Sequence, residues 1–294
     1  MRLAFVHGIN NEKYSADDIR EMWWAAIEEG WTDIGLTPRP RPHIDVGYYA
    51  NILADAVNGR GSQAVAQGGT VTTRAEGRAF LDAYLEAAGI TEAEVRQALR
   101  EDGIEQPEVV EQGRFQEMLV GVAGTVEKLL IGRGHWIASK FLTQATHYIE
   151  DPGLAAQIGL VVRKALFDGH DDRVVLVSHS LGTVVSYKML AGDAKLKTRE
   201  VPSFLTLGSP LGIGMMNAIL PPRGQIPSPP IGEWTNAYRR DDFVALDRPL
   251  DPTTIGYGGI TNVTEGLLEE ADTHSIRAYL RSPPIAARIY AALE

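Results

Sequence analysis

The chain has 294 residues, enough for one large domain or for one domain with a substantial insertion, and 44% of them are hydrophobic and 22% charged, as is ordinary for a globular protein. Its formal net charge of −10 argues against nucleic acid as a partner, because such a surface repels phosphate backbones. The absence of cysteine excludes disulfides, thiolate nucleophiles and cysteine-ligated zinc.

The start of the chain shows no targeting pattern. Arg2 is followed by "LAFV", which is far shorter than the apolar core of a signal peptide, and no window offers about 18 consecutive apolar residues. We therefore expect a cytoplasmic protein without a membrane-spanning helix.

The first elements alternate between strand and helix patterns. Residues 3–6 form a short apolar run that predicts a buried strand, and residues 44–49 predict a second one after a proline-rich loop. Between them, Ser15 and Asp18 have the spacing of a helix N-cap with its capping box, and Gly30 is expected to end that helix.

Residues 51–146 interrupt this alternation and are predicted to form a mostly helical insertion. Thr91 and Glu94 have the spacing of a capping box, and residues 116–149 are mostly helical and unusually apolar, with a break at "GRGH". This apolar face predicts packing on the core, packing on a second copy of the chain, or a cap over a binding site. Its members are Met118, Leu119, Val122, Val126, Leu129, Leu130, Trp136, Ile137, Phe141 and Leu142.

From residue 151 onward the alternation resumes, which predicts an α/β core made of residues 1–50 and 147–294. Strands that alternate with helices form a mainly parallel sheet covered on both faces, and ligands of such sheets bind at the carboxyl ends of the strands. The predicted helices are 152–164, 181–191 and two short ones at the end of the chain, and the predicted strands are 173–177, 201–207, 233–238 and 259–263.

"VVLVSHSLGTVV" places Ser180 on a short turn between a predicted strand and a predicted helix. A serine at such a bend is a candidate nucleophile, and the flanking positions must be small because the strand and the helix crowd the turn. Gly182 meets this need, whereas Ser178 stands where glycine is usual and is the rival nucleophile. The Leu181 N–H, at the helix N-terminus, is a candidate donor to an oxyanion.

A serine hydroxyl needs a base and the base needs a carboxylate. His274 is the histidine that follows Ser180 in the chain, and it lies in a loop after the last predicted strand. Asp241 and Asp242 close the strand before it, so either can orient His274. The chain order of serine, acid and histidine favours this set as a catalytic triad.

The loop after the first strand, "FVHGIN", is expected to supply the other oxyanion donor. Gly8 allows close approach of the backbone to a substrate, and the Ile9 N–H is the favoured donor. His7 is interpreted as a hydrogen-bonding residue beside the pocket rather than as a catalyst.

With these residues in view, the chain resembles the α/β-hydrolases, and within them the bacterial lipase/esterase-like branch. The resemblance is carried by "FVHGIN", "VVLVSHSLGTVVSY", "FLTLGSPLGI", "WTNAYRRDDFVA" and "HSIRAYL". Its D-x-V pattern selects Asp242 over Asp241. The first strand already carries the oxyanion loop, so the resemblance implies an α/β-hydrolase fold that lacks the first two family strands. It also implies that the insertion is a cap or lid. Met215 and Met216, in "GIGMMNAILPP", are expected to add apolar contacts to the same pocket, because methionine adapts to irregular ligands.

These features predict a serine hydrolase that cleaves carboxylic esters, with an apolar acyl group, and that requires neither metal nor cofactor. The alternatives are amidase, peptidase, thioesterase or acyltransferase chemistry with the same triad, and a non-catalytic binding module that kept the fold. The expected partners are a small-molecule or lipid ester, a lipid interface in contact with the cap, and a second copy of the chain.

Overall fold

The computed structural model describes residues 1–58, 80, 82–91, 93, 94, 97, 100, 136–168, 173–196, 198–213 and 231–294. In chain order, the main elements are β1 (Arg2–Val6), α1 (Ala16–Asp33), β2 (Ile44–Val46), α2 (Ala50–Val57), α3 (Trp136–Glu150), α4 (Pro152–Phe167), β3 (Val174–His179), α5 (Leu181–Gly192), β4 (Val201–Leu207), β5 (Ile231–Ala237), β6 (Ile260–Val263), α6 (Ile276–Arg281) and α7 (Pro283–Ala292). Within these described ranges, no helix is long and apolar enough to cross a membrane.

The strands form one six-stranded sheet in the order β2-β1-β3-β4-β5-β6, and every neighbouring pair is parallel. The register aligns Phe5 with Val177, and Val177 with Leu205. An α/β fold with a parallel sheet is therefore confirmed. Because the strands share one direction, all their carboxyl ends lie along a single edge.

Both faces of the sheet are covered, since alternate residues of the central strands enter different hydrophobic clusters. Leu176 and Phe204 belong to the cluster that includes residues of α3, α4 and α5. Val177 and Leu205 belong to the cluster that includes α1, α6 and α7. This explains why the central strands read as continuous apolar runs rather than as alternating patterns.

Helix α1 begins where predicted but ends later. The Ser15 side chain accepts a hydrogen bond from Asp18 N and the Asp18 side chain accepts one from Ser15 N, which confirms the capping box. Gly30 does not end the helix, which continues to Asp33. A methyl group on Gly30 would lie 2.9 Å from the Arg281 Cα atom, so glycine at this position allows α1 to pack closely on α6.

Strand β2 is shorter than predicted, because the chain turns away from the sheet after Val46. Gly47 N still donates to Phe5 O at 2.8 Å, but Tyr49 instead directs its hydroxyl to His7 O at 2.7 Å. Tyr49, which the sequence pattern places at the end of the strand, therefore supports the loop after β1.

Helix α3 spans the predicted boundary between residues 146 and 147, so that boundary falls inside one helix. Phe141 and Leu142 are fully buried and lie in the same cluster as the sheet residue Leu176, which indicates packing on the core for these two residues. The capping box of Thr91 and Glu94 is present. The predicted helix and break at 116–135, including Met118, Leu119, Val122, Val126, Leu129 and Leu130, lie outside the described residues, as do the side chains of Trp136 and Ile137.

A polar network, buried except at Asn262, explains why β5 carries Trp234 and Asn236 of the quoted "WTNAYRRDDFVA". Trp234 Nε1 donates to Thr206 Oγ1 at 3.1 Å, and Thr206 Oγ1 donates to Asn236 Oδ1 at 2.9 Å. Asn236 Nδ2 then donates to Asn262 Oδ1 at 2.9 Å. This network links β4, β5 and β6 side by side, and the chain segments that carry Asp242 and His274 follow β5 and β6.

Candidate active site

The polar residues singled out in the sequence collect at the carboxyl edge of the sheet. His7 follows β1, Ser180 follows β3 and Gly208 follows β4. Asp242 lies shortly after β5, and His274 lies in the segment between β6 and α6. The expectation that these motifs meet on one edge is therefore met by the topology.

Ser180 sits in a strained backbone conformation between β3 and α5. Its φ is 55° and its ψ is −133°, a region that residues with a Cβ atom rarely occupy. Its N–H donates to Leu207 O at 3.0 Å, which fixes the bend against β4. The residue is 1% exposed. A buried serine held in this way matches the sharp strand-to-helix turn of a nucleophile.

Glycines make room for the bend. A methyl group on Gly8 would lie 2.4 Å from the Ser180 Cβ atom, and one on Gly182 would lie 2.3 Å from His7 O. The loop after β1 therefore rests directly on Ser180 and on the first turn of α5. Ser178, where glycine is usual, is accommodated because its hydroxyl forms a 2.7 Å hydrogen bond with the Ser186 hydroxyl.

Asp242 is the acid that contacts His274. His274 Nδ1 lies 2.9 Å from each carboxylate oxygen of Asp242, and both side chains are almost completely buried. Because a carboxylate only accepts hydrogen bonds, Nδ1 carries the proton and Nε2 of the neutral ring presents a lone pair. Asp241 instead pairs with Arg239 at 2.8 Å and is half-exposed.

The buried charge of Asp242 is compensated by further donors. Val244 N donates to Oδ1 at 2.8 Å, and the Tyr279 hydroxyl donates to Oδ2 at 2.7 Å. The Tyr279 oxygen in turn accepts from Arg239 N at 3.0 Å. Tyr279 stands in the quoted "HSIRAYL", but its role as an anchor of the acid becomes visible only in the fold.

The ring of His274 lies beside the residues that flank Ser180. A methyl group on Gly208, whose φ is +55°, would lie 2.9 Å from His274 Cε1, so only glycine fits beside the ring. His179 precedes Ser180, and its ring lies 4.4 Å from the His274 ring while its Nε2 donates to His274 O at 3.0 Å. Burial lowers the pKa of His179 well below its ordinary value, with the proximity of His274 as a further cause.

The atoms that a nucleophile and a base would use have no partner within the described part of the chain. Ser180 Oγ and His274 Nε2 are both buried and without a hydrogen bond there. Among the same residues, no acceptor is found for the Ile9 N–H, and Leu181 is the first residue of its helix, where the N–H has no intrahelical acceptor. Unpartnered buried polar groups are rare, and two of those in the described residues are the atoms that a serine nucleophile and its base would use.

His7 faces the protein with both ring nitrogens. Its Nδ1–H donates to Gly8 O at 2.7 Å, and its Nε2 accepts from Tyr49 N at 3.1 Å. The ring also stacks on that of Tyr49, with centroids 4.3 Å apart. Burial lowers the pKa of His7 to about 4, so the ring is neutral at physiological pH. This arrangement supports the interpretation of His7 as a hydrogen-bonding residue.

His7 is expected to make the fold less stable in mild acid. Its pKa lies near 4 in the folded chain and near 6.5 when exposed, so the unfolded state binds more protons between these values and stability falls as the pH drops through them. The loss amounts to roughly 3 kcal/mol at 1.36 kcal/mol per pKa unit. Urea unfolding of His7→Gln across this range should show a shallower pH dependence than the wild type. An unchanged slope in His7→Gln would show that this histidine is not buried in its neutral form.

The remaining predicted residues are placed as follows. Gly8 touches Ser180, whereas Met215 and Met216 lie outside the described residues. No cluster of histidine or carboxylate side chains able to hold a metal ion is found in the described ranges. No known family profile matches the chain, and no curated protein shows significant sequence similarity to it.

Proposed function

We propose that this chain is a serine hydrolase with an α/β-hydrolase fold, which cleaves carboxylic esters through Ser180, His274 and Asp242. The observation that carries the proposal is that one edge of the sheet holds a strained, buried serine and a histidine whose Nδ1 is held by a buried carboxylate and whose Nε2 is unpartnered among the described residues. A strained backbone and unpartnered polar atoms both cost stability, and proteins retain such features mainly at functional sites.

In the acylation step, His274 Nε2 removes the proton of the Ser180 hydroxyl as the oxygen attacks the acyl carbonyl carbon. Asp242 keeps the ring in the required tautomer and stabilises the imidazolium. The carbonyl oxygen becomes an oxyanion, which accepts hydrogen bonds from the Ile9 and Leu181 N–H groups. His274 then donates its proton to the leaving alcohol, and the acyl group remains on Ser180.

Deacylation repeats this sequence with water. His274 removes a proton from a water molecule, whose oxygen attacks the acyl-enzyme carbonyl. Collapse of the second tetrahedral intermediate returns the proton to Ser180 Oγ and releases the carboxylic acid. The protein supplies the base, its orienting acid and the oxyanion donors from its own residues.

The surroundings favour an uncharged, apolar acyl group. The Phe243 ring lies 5.3 Å from the His274 ring, and Ile9, Leu211 and Phe243 belong to one buried hydrophobic cluster. The His179 ring does not offer a charge, because burial lowers its pKa well below the ordinary value. An ionic substrate would lose its hydration here without gaining a partner among these residues.

The experiment that tests the proposal joins fluorophosphonate labelling with a series of p-nitrophenyl esters of increasing acyl length. We expect covalent labelling at Ser180 and faster hydrolysis of acyl chains longer than acetate, because a longer chain buries more apolar surface. Peptide mapping locates the label, and initial rates measure kcat/KM for each ester.

The other outcomes separate the alternatives. Labelling without ester hydrolysis would contradict the ester assignment and direct the search to amides, thioesters or acyl transfer. Activity on acetate alone would contradict the apolar acyl site. An unlabelled, folded protein would contradict catalysis and favour a binding module.

A further inference from the structure

Two side chains of α3 hold the loop after β1, which we call the oxyanion loop and define as residues 8–11. We propose that Gln144 and Lys140 are positioning residues, which keep the Ile9 N–H directed at the oxyanion. This inference rests on the proposed function, because it assigns a role within the same site. It gives the helix that leads out of the predicted insertion a direct part in catalysis.

The contacts converge on Asn10. Its φ is 58°, in the left-handed region that asparagine tolerates better than most residues. Its N–H donates to Gln144 Oε1 at 3.3 Å, and its Oδ1 accepts from Lys140 Nζ at 2.7 Å. Lys140 also pairs with Glu12, just beyond the loop. Side chains of α3 thus hold both the backbone N–H and the side-chain oxygen of Asn10.

The other hydrogen bonds of the loop fix the peptide that joins Gly8 to Ile9. Gly8 O accepts from His7 Nδ1 at 2.7 Å and from Asn11 Nδ2 at 3.2 Å. In a trans peptide the N–H points opposite to the C=O, so these donors direct the Ile9 N–H away from themselves. Asn11 Nδ2 also donates to Ile9 O at 2.7 Å, which ties this peptide to the conformation of the next one.

These inner bonds set the shape of the loop, and Gly8 packs directly on Ser180. Helix α3 adds a second fixed support at Asn10, because Phe141 and Leu142 of this helix are fully buried in the core. Lys140 and Gln144 are four residues apart and so lie on one side of the helix. Gln144 is only 4% exposed, and a buried amide keeps its hydrogen bond because losing it is costly.

Replacing Gln144 tests the inference. Gln144→Met keeps the size and removes the acceptor, so we expect kcat to fall about 10- to 100-fold with little change in KM, because a displaced donor weakens the transition state more than the bound substrate. Affinity for a trifluoromethyl ketone, whose serine adduct carries an oxyanion, should fall by a similar factor. Gln144→Glu keeps an acceptor at this position and should restore most of the rate.

Controls separate positioning from a loss of folded protein. Complete fluorophosphonate titration counts the competent sites, and rates are expressed per site. Gln157→Met makes the same change on the exposed face of α4 and should match the wild type. Lys140→Met removes the other support of Asn10 and should also lower kcat. This variant replaces Gln144→Met in the test if Gln144→Met does not fold.

The possible failures are distinguishable. If Gln144→Met has wild-type kcat per titrated site and wild-type ketone affinity, the positioning role is overturned while the proposed function stands. If the loss of rate comes entirely from fewer competent sites, the role is structural and the inference is likewise overturned. A wild-type chain that is not labelled at Ser180 would overturn the proposed function itself.

Discussion

Replacing Ser180 by alanine is expected to abolish ester turnover and to make the folded chain more stable. The loss of the attacking oxygen should lower kcat by about 10⁴-fold or more. The gain in stability follows because Ser180 Oγ is buried without a hydrogen-bond partner among the described residues. Removing such a group relieves a desolvation cost of roughly 1–3 kcal/mol.

Ser180→Gly extends the argument to the backbone. A residue with a Cβ atom at φ 55° and ψ −133° carries strain of about 1–3 kcal/mol, and glycine removes it at an entropic cost of about 0.5–1 kcal/mol. The Ser180→Gly variant should therefore be at least as stable as the Ser180→Ala variant. Urea unfolding measures the free energy of unfolding of both variants, and the p-nitrophenyl ester assay measures their residual rates.

Ser178→Ala is the matched control for the nucleophile. Ser178 forms its hydrogen bond with Ser186 inside the protein, so this variant should lose about 1 kcal/mol of stability and keep most of its activity. If Ser180→Ala retains substantial turnover and Ser178→Ala is inactive, the nucleophile is Ser178 and the assignment to Ser180 is wrong. Lower stability in Ser180→Gly would contradict the assignment of strain to this bend.

Features that depend on a local pattern could be predicted from the sequence. The strand at residues 201–207 is observed as Val201–Leu207, and the N-cap at Ser15 is present with its capping box, because both are set by neighbouring residues. The parallel sheet followed from alternating strands and helices, and the shared edge followed from their common direction. The residues of the candidate site could therefore be predicted wherever their motif directly follows a strand.

Features that depend on distant contacts could not be predicted. Tyr49 fits a strand pattern, but its hydroxyl bonds to His7 O and the strand ends early. Glycine often ends helices, yet Gly30 lies inside α1 at the position where this helix approaches Arg281. The same reason hides the hydrogen bond of Gln144 to Asn10, since nothing in either segment specifies its partner.

The choice between adjacent acids shows how little local sequence decides at such a site. Asp241 and Asp242 are chemically identical neighbours, and only a family-like pattern favoured the second. In the fold they point in different directions: Asp242 is buried against His274 and Tyr279, and Asp241 pairs with Arg239 near the surface. Backbone geometry after β5, rather than residue type, separates their roles.

Asp242→Asn is accordingly expected to lower kcat by about 10³- to 10⁴-fold, while Asp241→Asn changes it less than about 3-fold. An asparagine amide can donate to His274 Nδ1, which favours the tautomer that carries its proton on Nε2 and cannot accept one from Ser180. Asp241→Asn loses a half-exposed ion pair worth no more than about 1 kcal/mol and leaves the His274 contact intact. Steady-state kinetics on one p-nitrophenyl ester gives kcat for Asp242→Asn and Asp241→Asn. Fluorophosphonate titration counts the active sites of each variant. The reverse order of effects would assign the orienting acid to Asp241, and equal, small effects would show that His274 acts without either carboxylate.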